Sequence, residues 1–230
     1  DAGWRARWQE AGERARSAIE AALAPSASAA LFEAHAVRAL ADVVPADALL
    51  CAGNSLAVRA VDAFWPGAME PPRVLANRGA NGIDGFVSTV LGAAAADPAR
   101  RVVGVCGDLT FCHDLSGLLA ARRHGVRAVL VVLNNDGGGI FDHLPIAAYR
   151  EGYEEYFATP HGLDFAPAVA IFGCAFERVT DVAELADAVA RGLASERTTV
   201  VEVRFARAAS LAAWHATRDV AVRAASEELR

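Results

Sequence analysis

Three stretches of this chain, RVVGVCGD (101–108), RAVLVVLNN (127–135) and TTVVEVRF (198–205), run apolar with little alternation. A strand with one wet face alternates apolar and polar residues. A strand that is apolar throughout is covered on both faces. Helical spacing surrounds these runs: 84–96, 109–123 and a final helix over 209–228, with Asp181 and Glu184 forming a capping-box start for a helix to about 194. Shorter strands are expected in ADALLCAGN, in RVLAN (73–77) and in CAFERV (174–179), and a helix in NSLAVRAVDAFW. Strands buried on both sides and alternating with helices predict an α/β fold, a parallel sheet flanked by helices on both faces. The segment 141–172 reads as irregular, with two short helices.

The chain's 230 residues are 54% hydrophobic, ample for such a core. At the start, Trp4, Trp8, Ala11, Ala15, Ile19 and Ala22 give a helix over 4–23, which Pro25 ends; a second helix is expected over 29–42. The linker-like APSASAA (24–30) makes residues 1–24 an appendage. No apolar run is long enough to cross a membrane, and no apolar stretch near the start resembles a secretory signal. A net charge of −6 argues against nucleic acid as a partner. Every basic residue except histidine is Arg, read as compositional bias. Cys51, Cys106, Cys112 and Cys174 form no CxxC pair, so reduced thiols in a cytoplasmic protein are expected. The chain begins at Asp1 and its one methionine is Met69, which reads as a processed product or a piece of something longer.

In open parallel sheets, ligands bind beyond the carboxyl ends of the strands. Four strand ends here carry unusual residues: GNS (53–55), NRGANGIDG (77–85), GDLT (107–110) and NNDGGG (134–139). Asp108 and Asn135 each follow a strand, with one helix between them. If those strands are neighbours, a carboxylate and an amide oxygen converge, a half-shell for a hard cation such as Mg²⁺ with a phosphate. Glycines at 137–139 allow a carbonyl to reach the metal and N–H groups to face an anion. Gly107 precedes a helix whose N-terminus favours phosphate. Taken alone, Asn-Asn-Asp-Gly is also ordinary turn chemistry.

Gly107-Asp108, the intervening residues 109–133 and Asn134-Asn135 together resemble the diphosphate-binding motif of thiamine-diphosphate enzymes. Leu109 stands where the generic motif has glycine, and agrees with one branch, the 2-succinyl-5-enolpyruvyl-6-hydroxy-3-cyclohexene-1-carboxylate synthases. GNSLAVR, NRGANGIDG, GDLT and NNDGGGIFDHLP all look like that branch, in the same order, as do the lead-in WRARWQEAGERA and the closing TTVVEV. The resemblance implies a transferase that decarboxylates 2-oxoglutarate and adds the resulting succinyl-semialdehyde carbanion to isochorismate, in menaquinone biosynthesis. It implies thiamine diphosphate with Mg²⁺ or Mn²⁺, and active sites between subunits of a homodimer or homotetramer. Residues 1–28 would be a leading helix and linker from a middle domain, and 29–230 the C-terminal diphosphate-binding domain. The glutamate that activates the cofactor would lie in an N-terminal domain, so this chain holds no catalytic residue and is inactive alone.

Residue by residue, the resemblance assigns Asp108 and Asn135 to the metal through side chains and Gly137 through its carbonyl, with Gly107 beside them at the diphosphate. Ile83 props the cofactor into its bent shape, or is an ordinary core residue. Asn81 departs from the small residue expected. Arg59 and Arg78 hold substrate carboxylates, which guanidinium forks bind in pairs, or form surface ion pairs. Asn54 and Ser55 are polar substrate-side positions and also read as a helix N-cap. Ile140, Phe141 and Leu144 form an apolar wall for the thiazolium and the isochorismate ring, or pack in the core. His113 and His143, the histidines nearest the motif, are read as structural. Three rivals remain: another thiamine-diphosphate 2-oxoacid decarboxylase or carboligase, a non-catalytic binding or dimerisation module, and a nicotinamide-binding domain. Arg59 and Arg78 speak against the first, which would take small monocarboxylates. GANGIDG lacks the GxGxxG spacing that the last requires.

Overall fold

The computed structural model describes residues 2–24, 31–67, 72–77 and 79–226. Arg78, Met69 and linker residues 25–30 lie outside that set. The expected parallel sheet is present. Its strands are β1 (Leu49–Ala52), β2 (Arg73–Ala76), β3 (Val102–Gly107), β4 (Val129–Asn134), β5 (Ala175–Val179) and β6 (Thr199–Arg204), in the order β2-β1-β3-β4-β6-β5, every pair parallel. Alternate residues of one strand feed two cores. Val129, Val131 and Leu133 pack under α2 (Glu33–Val43), α3 (Leu56–Phe64) and α8 (Val182–Ala194). Leu130 and Val132 pack under α4 (Phe86–Ala96), α5 (Asp108–His113), α6 (Leu119–His124) and α7 (Phe165–Ile171). Each such fully buried Val or Leu contributes about 1.5–3 kcal/mol. That is why β3, β4 and β6 read as unbroken apolar runs.

The helix expected over 109–123 is broken. Between α5 and α6 the chain takes a tight 3-10 turn over Leu115–Leu118. Asp114 leaves helical geometry so that its carboxylate accepts hydrogen bonds from Ser88 N (2.6 Å) and Ser88 Oγ (3.0 Å) in α4. Gly117 completes this approach, since a Cβ there would stand 2.7 Å from Ser88 Oγ. Segment 141–172 holds 3-10 turns at Gly139–His143 and Pro145–Ala148, a π-turn at Glu154–Ala158, and α7.

Helix α1 (Ala2–Ala22) runs along α9 (Arg207–Ser226). Ala11 is buried and Ile19 packs on the core, whereas Trp4 and Trp8 are exposed. All four cysteines are free. Burial pushes the Cys51 thiol up to about 11, which suits an inert apolar residue. Among the described residues no helix is long and apolar enough to cross a membrane.

Candidate functional site

The chain steps from β1 outward to β2, then back across to β3, so strand order reverses between β1 and β3. The loops leaving their carboxyl ends part there and open a crevice. A cavity of about 170 Å³ lies at this place. Ser55, Ile83, Gly107, Asp108, Asn135, Gly137, Ile140 and Phe141 line it, so the four motifs singled out in the sequence meet at one site.

Asp108 is 2% exposed. Leu109 N donates to its Oδ1 (2.7 Å) and Gly137 N to its Oδ2 (2.9 Å). Burial, the largest influence, raises its protonation range despite these bonds. Among the described residues no arginine touches it. The two adjacent amides divide their work. Asn134 points away from the cavity: its Nδ2 donates to buried Glu202 (2.6 Å) and its Oδ1 accepts from Asp136 N (2.9 Å). Asn135 lines the cavity, and among the described residues its side chain makes no hydrogen bond. The Gly137 carbonyl accepts one bond, from Gly139 N (3.0 Å), which leaves a lone pair. A buried carboxylate short of positive charge, an unengaged amide and a half-engaged carbonyl form an oxygen donor set for a hard divalent cation. The site therefore fits Mg²⁺ or a similar ion.

The glycines serve a further purpose. A Cβ on Gly137 would stand 2.1 Å from the Ala158 carbonyl, and one on Gly138 2.4 Å from that of Phe157. Segment 154–164 thus crosses directly over NNDGGG as a strap. Its ends are tied down. Arg207 reaches Glu154 (2.6 Å), Arg178 reaches Asp164 (2.5 Å), and Arg204 donates to the Leu163 carbonyl (3.0 Å). Asp136 clamps its middle, its Oδ1 accepting from the backbone N–H of His161 (3.1 Å) and Gly162 (2.7 Å). These bonds hold the Asp136 carboxyl below the usual range. The non-glycine residues with positive φ among those described are Ser55 (71°), Asp136 (61°) and Thr159 (44°). All three adjoin this site, where such strain gathers when the surroundings enforce it.

Among the remaining candidates, Ser55, Ile83, Ile140 and Phe141 line the cavity. Ile83 and Ile140 line it half-buried and belong to neither apolar core, as does Phe141; Leu144 is exposed and off the wall. Asn54 is buried, and its amide donates to the carbonyls of Asn77 and Gly82, bracing the loop that carries Ile83. Ser55 is the N-cap residue of α3, as the sequence suggested, but its side chain makes no capping hydrogen bond. Arg59 is exposed and donates to the Ser55 carbonyl (2.7 Å). Arg78 lies outside the described residues, and Asn81 is exposed. The helix that Gly107 precedes, α5, has only six residues, so discrete N–H groups rather than a long helix's dipole face the cavity. His113 pairs with Asp84 at the surface (3.4 Å), and His143 packs against Trp214 and His215.

Two residues at the site were not anticipated. His161, in the strap, places Nε2 3.3 Å from Asp108 Oδ2. Glu33 lines the cavity from the first turn of α2, 1% exposed, its Oε2 accepting from Ser210 Oγ (2.6 Å) and Trp214 Nε1 (2.9 Å). Burial raises its protonation range, the hydrogen bonds partly offsetting it.

Residues 59–203 match the family model described as "Thiamine pyrophosphate enzyme, C-terminal TPP binding domain". The chain is 46% identical over 205 residues to a 2-succinyl-5-enolpyruvyl-6-hydroxy-3-cyclohexene-1-carboxylate synthase of Geobacillus kaustophilus, covering 89% of this chain and 35% of that protein. It is 41% identical over 227 residues to the synthase of that name from Haloarcula marismortui, covering 99% and 37%. The chain thus spans about a third of the length of these relatives. Among solved structures, the thiamine diphosphate-dependent 4-hydroxybenzoylformate decarboxylase of Rhodococcus jostii RHA1 superposes with a TM-score of 0.63 at 25% identity, over 80% of this chain and 34% of that one.

Proposed function

From the premise that this chain belongs to the thiamine pyrophosphate enzymes, as their C-terminal TPP-binding domain, we propose that it is that domain of a 2-succinyl-5-enolpyruvyl-6-hydroxy-3-cyclohexene-1-carboxylate synthase. The observation that carries this reading is the convergence of Asp108, Asn135 and Gly137 on one cavity at the switch point of the sheet. In it, Asp108 and Asn135 hold Mg²⁺, or Mn²⁺, through side-chain oxygens and Gly137 through its carbonyl, with the diphosphate beside Gly107. Thiamine diphosphate, when bound, supplies a nucleophilic carbon and an electron sink for decarboxylating a 2-oxoacid. Ile83, Ile140 and Phe141 would give its ring an apolar wall, which favours an uncharged reacting centre.

Read this way, the substrates are 2-oxoglutarate and isochorismate, and the pathway is menaquinone biosynthesis. Both substrates carry two carboxylates, which suits the guanidinium groups of Arg59 and Arg78. Asn54 braces the loop that carries Ile83, and Ser55 lines the cavity. Residues 1–28 are a lead-in from a middle domain and 29–230 the diphosphate-binding domain. An N-terminal domain of a dimeric or tetrameric cytoplasmic enzyme brings the activating glutamate.

A thermal-shift titration with thiamine diphosphate, with Mg²⁺ and with EDTA tests the binding half. Ligand at a hundredfold excess over Kd stabilises by about 2.7 kcal/mol. That shift is expected with metal, is removed by EDTA, and is absent in Asp108→Ala. A shift that survives both treatments would sink the assignment of the metal site.

A further inference from the structure

His161 faces a proposed metal ligand at this site, and the reading above leaves it without a task. Its ring is 11% exposed and packs against buried Phe165, with centroids 5.6 Å apart. Leu163 N donates to its Nδ1 (2.9 Å), so the neutral ring carries its proton on Nε2. That Nε2 is buried without a well-formed hydrogen bond, and Asp108 Oδ2 stands 3.3 Å away. A buried orphan donor is costly and seldom left without a function. Everything around it fixes its aim: the Asp136 carboxylate holds the backbone N–H groups of 161 and 162, and Gly137 and Gly138 let the strap lie close.

We propose that His161 is a positioning residue for the metal ligand Asp108. Its Nε2–H closes onto Oδ2 and, with Gly137 N, fixes the plane of the carboxylate, so that the remaining lone pairs face the cation. Outer partners of this kind orient ligands, and their loss typically weakens metal binding about 10–100-fold. The inference rests on the metal reading above.

Two substitutions separate positioning from mere packing. His161→Asn keeps an acceptor where Nδ1 receives the Leu163 N–H, and removes the donor aimed at Asp108. His161→Gln places an amide N–H near the position of Nε2. Mg²⁺ is titrated by calorimetry into each protein saturated with thiamine diphosphate, using the whole polypeptide that carries these 230 residues. The expected result is an unchanged melting temperature without ligand for His161→Asn, Mg²⁺ affinity lower by about 10–100-fold, and recovery of part of it in His161→Gln. Wild-type Mg²⁺ affinity in His161→Asn overturns the proposal. So does an equal loss in both variants accompanied by a lower ligand-free melting temperature, which marks a packing role. If the wild type itself takes up no Mg²⁺ with the cofactor, the metal reading has failed, and the proposal fails with it.

Discussion

The two sides of the cavity are built differently. On the side of β3 and β4, Asp108, Asn134 and Asp136 are tied to backbone and to one another, and a strap with ion pairs at its ends lies across them. On the side of β1 and β2, Arg59 is exposed, Ile83 is half-buried, and β2 is exposed along its length. One half is a closed cradle of oxygen donors and N–H groups. The other is a set of side chains held out from a braced loop, with its surface open. The difference matches what the proposed function asks of each half. A metal needs donors fixed to fractions of an ångström, which demands a buried, over-determined loop. Carboxylate substrates that enter and leave need an accessible face.

Two glycine substitutions test this contrast most strongly. Gly137→Ala would put a Cβ 2.1 Å from the Ala158 carbonyl, at a φ of 133°. The expected loss is about 3 kcal/mol, lowering the melting temperature by roughly 6–12 °C. Gly79→Ala, on the open side, meets nothing within 4 Å, so it should change stability by less than about 0.5 kcal/mol. Comparable losses in the two would show that the halves are equally packed, against the contrast.

A smaller effect is expected at Glu202, in the sheet behind the cradle. Its buried carboxylate accepts from Asn134 Nδ2 and contacts Arg178 and Arg204. Glu202→Ala frees Asn134, leaves two arginines that water can reach, and should cost about 2 kcal/mol. On the proposed function it should also weaken Mg²⁺-dependent cofactor binding, because Asn134 precedes Asn135 in the same loop. Unchanged binding in the destabilised variant would mean that the loop holds its shape without Glu202.

Much of this arrangement was legible in the chain. Leu130 to Leu133 announce a strand buried on both faces, and Asp108 with Asn135 could be placed together because adjacent parallel strands bring their ends together. What could not be read depends on contacts between distant segments. Asp114 breaks the expected helix for the sake of Ser88, 26 residues earlier. His161 is 53 residues from Asp108, whereas His113 and His143 are nearer the motifs in sequence yet point elsewhere. The strap's tight crossing is what brings His161 in, and glycine signals it only as permission. Glu33 carries no local mark either; its partners Ser210 and Trp214 come from the last helix.

Glu33 offers the finest test, because it compares two carboxyls in one cavity. Asp108 has backbone N–H groups and a histidine beside it; Glu33 has a hydroxyl and an indole N–H. Burial raises both. For an acid whose folded value lies above its unfolded one, the native state keeps the proton longer. Stability therefore falls as pH rises from the ordinary value near 4.5 through the native value, and the whole cost is present above it. Glu33→Gln removes this slope for one carboxyl together with its charge repulsion with Asp108, so the difference between the two proteins reports Glu33 and that coupling. Urea melts without ligand should give similar stabilities at about pH 4, with the Gln variant pulling ahead as pH rises to neutrality. Parallel curves would mean that the Ser210 and Trp214 bonds already compensate the buried charge. Glu33 would then be an ionised tie between α2 and α9, as fully supported as the carboxylate on the closed side.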